Sequence, residues 1–115
     1  MPLDGQRLLE GNLADLAGLR AAYEAMRASR ATHPEWDKRV LGFTPDQQFF
    51  LGYAQSLCTA ATDADLADQA AHGVYPPARF RVNGPLSNLP EFAKAFRCDE
   101  GSPMVRPAAA RCDVW

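Results

Sequence analysis

The sequence predicts a mainly α-helical fold with roughly four helices and one extended segment. Three observations support this prediction. Apolar residues recur at helical spacing in long stretches of the chain. Two of these stretches follow a threonine placed to act as an N-cap, and proline or glycine separates the stretches from one another. A pattern of paired, alternating strands is not evident, so the extended segment has no obvious partner within the chain.

The first helix is predicted over about residues 12–29. Its apolar residues share one face, and Arg20, Glu24 and Arg27 fall on another. The apolar residues are Leu13, Leu16, Leu19, Tyr23 and Met26. A loop is expected over residues 32–43, where Pro34 and Gly42 interrupt helical structure.

The second helix has the clearest start signal in the chain. Thr44 can act as N-cap, Pro45 suits the first helical position, and Gln47 can complete a capping box. An apolar stripe through Phe49, Phe50, Tyr53, Ala54 and Leu57 follows. Aromatic residues at this spacing usually form a hydrophobic core, so no cofactor is needed to explain them.

A third helix is predicted over about residues 63–71, with Thr62 as a possible cap. Residues 73–77 are expected to form a turn. His72 is predicted to lie at the C-terminal end of the helix, where a cation complements the helix dipole, rather than to bind a metal.

The extended segment is predicted over residues 78–83, leading into a turn at Asn83-Gly84 and a second turn at Ser87-Asn88. A fourth helix is predicted over about residues 89–96, with Pro90 in its first turn. After a turn at residues 99–103, the remaining tail is expected to be irregular.

Length and composition restrict the classes of protein that this chain can represent. Its 115 residues suit one domain, and 47% hydrophobic and 23% charged residues are ordinary for a globular protein. A net charge of −2 gives no electrostatic case for nucleic acid or an anionic membrane. No apolar run approaches the ~20 residues that span a bilayer. The first residues do not resemble a signal peptide, so we expect a cytoplasmic chain or a piece of a longer protein.

The residues by themselves do not compose a complete active site. The two histidines, His33 and His72, are far apart, so the chain has no His-Glu-x-x-His helix, and His33 is expected to be solvated. No serine lies in a nucleophile elbow, and no glycine-rich phosphate loop occurs. Arg81 stands out because it lies between apolar neighbours just before a predicted turn. It is either an ordinary surface residue or a fixed donor for a carbonyl, carboxylate or phosphate oxygen.

Several separate segments together resemble the C-terminal part of the neprilysin and endothelin-converting-enzyme family of zinc metallopeptidases. In chain order they are residues 12–19 (NLADLAGL), 43–51 (FTPDQQFFL), 78–92 (ARFRVNGPLSNLPEF), 101–104 (GSPM) and 112–115 (CDVW). The resemblance implies the helical C-terminal part of a zincin-type (gluzincin) catalytic domain, with residues 1–115 as one fragment of it. The last residue also looks like the family's natural C-terminus.

The resemblance implies a zinc site, but this chain carries only part of the family's residues for it. In the family, a glutamate on the matching helix binds zinc, and an aspartate four residues later supports a zinc-ligand histidine. Asp15 matches that aspartate, whereas the ligand position holds Gly11. Glu10 precedes it by one residue, a displacement of about 100° around the helix and about 1.5 Å along it, so it is a poor substitute. We therefore expect this chain alone to bind no zinc.

The family also stabilises the oxyanion of the reaction intermediate with an arginine and a histidine. Arg81 matches the arginine, and Tyr75, six residues earlier, stands at the histidine position. A tyrosine hydroxyl can also donate to an oxyanion. The family's His-Glu-x-x-His helix, with its two histidine ligands and general-base glutamate, is missing from these 115 residues, as is its large N-terminal lobe.

The three cysteines form an odd set that fits no zinc-ribbon spacing. By resemblance, Cys58, Cys98 and Cys112 stand where animal members carry cysteines that bridge to upstream partners. A bridge between Cys98 and Cys112 in the isolated chain is the alternative. The resemblance leaves the compartment open, since family members are extracellular, periplasmic or membrane-anchored.

Three functions remain open from the sequence. The leading hypothesis is the C-terminal segment of a neprilysin-like zinc metalloendopeptidase, which hydrolyses peptide bonds in the complete enzyme and is inactive as this isolated chain. The alternative is a degenerate protein that binds peptides or a partner without catalysis. A third is a structural remnant whose exposed apolar face leads to self-association.

Overall fold

The computed structural model describes residues 2–114, and helices dominate that part of the chain. The five α-helices are α1 (Leu9–Thr32), α2 (Pro45–Ser56), α3 (Asp63–His72), α4 (Ala78–Asn88) and α5 (Pro90–Phe96). Two short 3-10 turns, Pro34–Trp36 and Ala108–Ala110, lie in the predicted loop and in the predicted irregular tail. An isolated antiparallel bridge between Val40 and Phe43 is the only β pairing among residues 2–114.

The helix starts that the sequence marked most clearly are confirmed. The Thr44 hydroxyl accepts a hydrogen bond from the Gln47 amide, and the Gln47 side chain accepts one from the Thr44 amide. Thr62 and Asp65 form the same reciprocal box at the start of α3. These boxes satisfy amide donors that a helix leaves without internal partners.

The main correction concerns residues 78–88, which form α4 and not an extended segment with two turns. Pro77, with φ −52°, precedes α4 as its N-cap residue. Pro85 lies inside the helix and cannot donate to the carbonyl of Arg81 four residues earlier. The Tyr53 hydroxyl donates to that carbonyl at 2.7 Å instead, so the lost hydrogen bond is replaced from α2.

The hydrophobic core lies where α1, α2, α4 and α5 meet. Phe50 is 1% exposed, stacks on Tyr23 with ring centroids 5.3 Å apart, and meets Phe92 edge-on at 5.6 Å. Leu16, Leu19, Leu86 and Leu89 complete the buried cluster. The aromatic stripe of α2 is therefore core, as predicted.

Helix α3 is attached to the fold mainly through the N-terminal segment. The Arg7 guanidinium donates to the carbonyls of Ala70, at 2.6 Å, and of Gly73. His72 is the last residue of α3 and its ring contacts Asp68 at 2.9 Å, while Gly73 occupies the C-cap. The described helices include none that is long and apolar enough to cross a membrane.

Candidate functional site

The candidate site is built around an ion pair between α1 and α4. Arg81 donates from Nε and Nη2 to the two carboxylate oxygens of Asp15, both at 2.8 Å. The Asp15 side chain is 12% exposed and that of Arg81 is 27% exposed. Such a two-point contact fixes the plane of the guanidinium as well as its position. Hydrogen bonding to Asp15 raises the pKa of Arg81 above its ordinary value, so the group stays charged.

Tyr75 lies against this ion pair and completes a three-residue cluster. The Arg81 Cζ atom lies 4.3 Å from the centroid of the Tyr75 ring, a cation–π arrangement. The residue is 43% exposed. Thus all three site residues proposed from the sequence meet in space, although Asp15 and Arg81 are 66 positions apart. Their catalytic roles remain predictions.

Tyr53 connects α2 to the same site through its hydrogen bond to the Arg81 carbonyl. Burial, with a further contribution from the Asp15 charge, raises the pKa of Tyr53 to about 12. The phenol is therefore protonated at neutral pH and available as a donor. Helical periodicity placed Tyr53 in the core, and no motif in the sequence indicated its hydrogen bond to Arg81.

The position at which the family resemblance places a zinc ligand does not fit a metal here. Gly11 is buried in α1 and has no donor atom. A Cβ atom built there would lie 2.8 Å from Tyr75 Cδ1, 3.0 Å from Tyr75 Cε1 and 3.1 Å from the Val74 carbonyl oxygen. Glu10 is exposed. Among residues 2–114, no group of three or more His, Cys, Asp or Glu side chains is arranged to hold a metal ion.

The remaining candidates lie away from the site. His33 stacks on Trp36 with ring centroids 3.9 Å apart and contacts Glu35. All three cysteine thiols are free, with Cys98 partly buried and the other two exposed, so the Cys98–Cys112 bridge is not formed.

An open, mostly apolar groove of about 550 Å³ lies between α1 and α2, next to Asp15 of the ion pair. Small residues line much of it: Ala14, Gly18, Ala22, Gly52 and Ser56. Asp15 and Tyr53 also line the groove, so it reaches the site. Self-association or partner binding through an exposed apolar face remains a prediction.

Comparison with known proteins agrees with this architecture. The model of peptidase family M13 matches residues 1–112. Endothelin-converting enzyme 1 of Homo sapiens is 41% identical over 115 residues, which cover 99% of this chain and 15% of the human protein. Neprilysin-2 of Drosophila melanogaster is 38% identical over 114 residues, covering 98% of this chain and 14% of the fly protein.

A solved structure has the same fold. A chain of the Haemonchus galactose containing glycoprotein complex superposes with a TM-score of 0.82 at 36% identity, covering 90% of this chain and 19% of that one. The chain belongs to peptidase family M13. It spans about 15% of the length of the curated relatives that it matches. The mainly helical fold expected for the C-terminal part of such a peptidase is thereby confirmed.

Proposed function

We propose that this chain is the C-terminal segment of the catalytic unit of a neprilysin-like peptidase, in which Arg81 contacts the peptide. One observation supports this most directly. Asp15 holds one edge of the guanidinium and Tyr75 covers one face, which leaves Nη1 without a hydrogen bond to any residue in the range 2–114. A fixed, charged donor suits a peptide carbonyl oxygen and the negative charge that develops on it during hydrolysis.

Asp15 acts in this proposal as the residue that orients Arg81. Each of its carboxylate oxygens accepts one hydrogen bond from the guanidinium and keeps a second lone pair. Asp15 therefore also has the capacity to accept a hydrogen bond from a histidine outside this chain, the role that the family resemblance implies. Tyr75 can add a hydroxyl donor beside Arg81.

By themselves, the 115 residues are proposed to be inactive in peptide hydrolysis. Zinc, when bound in the family, activates water and polarises the carbonyl, but the residues at and near position 11 do not fit a ligand role. No step through the metal is assigned to this chain.

Incubation of the purified chain with zinc and a quenched fluorescent peptide tests this. No cleavage above a protein-free blank is expected. Arg79 offers a matched control, because it is exposed, lies in the same helix and contacts only its neighbour Phe80 among aromatic rings. Cleavage that is lost in Arg81→Ala and kept in Arg79→Ala would overturn the proposed inactivity.

A second candidate is a peptide-binding module without catalysis. It is favoured because the Tyr75 ring occupies the space that a side chain at position 11, the family's ligand position, would need. Here Arg81 binds a peptide carbonyl or carboxylate without cleavage. Fluorescence anisotropy with short labelled peptides that carry a free or an amidated C-terminus would measure binding. This candidate expects saturable binding that Arg81→Ala weakens and Arg79→Ala does not. Equal signals for both variants, or no binding by either peptide, would rule it out.

A further inference from the structure

One side of the Tyr75 ring occupies the space that a Cβ atom at Gly11 of α1 would need. The built Cβ position at residue 11 lies 2.8 Å from Cδ1 of that ring, closer than real Cβ atoms approach other heavy atoms. Gly11 is buried, so a side chain added there could not simply turn into solvent. The ring and any side chain at position 11 therefore compete for the same space.

The same ring also contacts the functional arginine. Arg81 Cζ lies 4.3 Å from the ring centroid, and Asp15 holds the guanidinium from its edge. Asp15 and Gly11 are one helical turn apart on α1, so both face α4 and the loop that precedes it. Moving the ring to make room at position 11 would remove it from Arg81.

We infer that Gly11 and Tyr75 form one matched pair, in which the ring fills the space of a side chain at position 11 and positions Arg81. Gly11 at the family's zinc-ligand position and Tyr75 at its histidine position are then two parts of a single structural change. This corner holds an arginine under an aromatic ring and has no room for a side chain at position 11. This packing of Gly11 and Tyr75 does not depend on whether the complete protein cleaves peptides. Tyr75 is accordingly a positioning residue for Arg81.

A cycle of glycine and tyrosine variants tests the pair, with Gly18 as the matched control. Gly18 is in the same helix, is exposed, and has open space where its Cβ would be. Gly18→Ala is expected to raise the folding equilibrium constant about threefold to fivefold, whether residue 75 is tyrosine or alanine. With Tyr75 present, the folding equilibrium constant of Gly11→Ala is expected to lie roughly tenfold below that of Gly18→Ala, because the added methyl group collides with the ring.

In the Tyr75→Ala background this difference should shrink to about threefold or less, since the two nearest atoms, Cδ1 and Cε1 of the ring, are then removed and the Val74 carbonyl oxygen at 3.1 Å remains. Tyr75→Phe keeps the ring and should keep the full difference. An equal effect of Gly11→Ala in all three backgrounds would overturn the inference.

Nuclear magnetic resonance of the Arg81 side chain, in variants whose backbone spectrum stays native-like, reports the position of the ring separately from the size of the stability change. Ring-current shifts of the Arg81 side-chain signals are expected in the wild type and in Tyr75→Phe. They should be lost in Tyr75→Ala and reduced in Gly11→Ala, whereas Gly18→Ala leaves them unchanged. Arg81 signals that do not respond to removal of the ring in folded Tyr75→Ala would refute the positioning role of Tyr75.

Discussion

Removing the Asp15 carboxylate should lower the free energy of unfolding, and the exposure of the Asp15–Arg81 pair sets limits on how much. Fully exposed ion pairs contribute about 0.2–1 kcal/mol, and breaking a buried pair costs about 3–5 kcal/mol. The Asp15 and Arg81 side chains are 12% and 27% exposed and share two hydrogen bonds of 2.8 Å. The pair lies between these limits, so we expect Asp15→Ala to cost about 2 kcal/mol.

Urea and thermal unfolding followed by far-ultraviolet circular dichroism would measure this loss. About 2 kcal/mol corresponds to a fall in Tm of roughly 8 °C for a chain of this size. Glu24→Ala is the matched control, because Glu24 is an exposed acid on the same helix, and its effect should stay within about 0.5 kcal/mol. The loss from Asp15→Ala should change little with added salt, since partly buried pairs are weakly screened.

A double-mutant cycle separates the ion pair from other effects of the substitution. Asp15→Ala, Arg81→Ala and the double variant should show a coupling of about 1–2 kcal/mol. Arg79→Ala combined with Asp15→Ala should show none, because Arg79 does not contact Asp15. A coupling between Asp15 and Arg81 below about 0.5 kcal/mol would refute the assignment of this pair as the element that fixes the guanidinium.

Three further predictions follow from contacts described above. Tyr53→Phe should cost about 1–2 kcal/mol because the Arg81 carbonyl loses its donor. Pro85→Ala restores a helical amide, so the loss should largely disappear in that background, and an undiminished loss in urea unfolding would contradict this account. Burial raises the pKa of both Tyr23 and Tyr53 from the ordinary 10 to about 12, so raising the pH should destabilise the fold between about 10 and 12. Protonated tyrosine is then favoured by folding, the contribution is complete below pH 10, and it is lost as the pH rises. Tyr53→Phe should flatten part of that loss in unfolding curves, and an unchanged slope would count against it. Thr44→Ala should cost about 1 kcal/mol by removing the capping box, and a Tm equal to that of wild type would contradict this.

Local sequence signals predicted those parts of the fold that local chemistry determines. The capping box at Thr44 and the cap at Thr62 depend on residues within one turn, and the core role of Phe50 is indicated by the apolar spacing along α2. Helix α4 was missed because Asn83-Gly84 and Pro85 favour turns locally. The missing amide is compensated by Tyr53, which is 28 positions away, and local patterns carry no such information.

The site was predictable as a set of residues but not as an arrangement. The resemblance singled out Asp15, Tyr75 and Arg81, and the structure brings them together. A further signal was available in the sequence, because Asp15 lies four and eight residues before the apolar Leu19 and Tyr23, on one row of α1 that the structure buries. A carboxylate on a buried row requires an opposite charge or hydrogen-bond donors beside it. The identity of that partner, and the competition between Tyr75 and a side chain at position 11, depend on tertiary packing.

The two hydrogen bonds from Arg7 to the end of α3 have a consequence for the order in which the fold opens. Apart from Ala70, α3 has no fully buried residue, so its docking depends heavily on a single side chain near the N-terminus. Amide protons of α3 should therefore exchange with solvent through a local opening, earlier than those of α1 and α2. A proteolytic cut just after Arg7 would weaken these contacts, so α3 could undock while it stays covalently joined to α2 and α4, and the Asp15–Arg81 pair would be left in place.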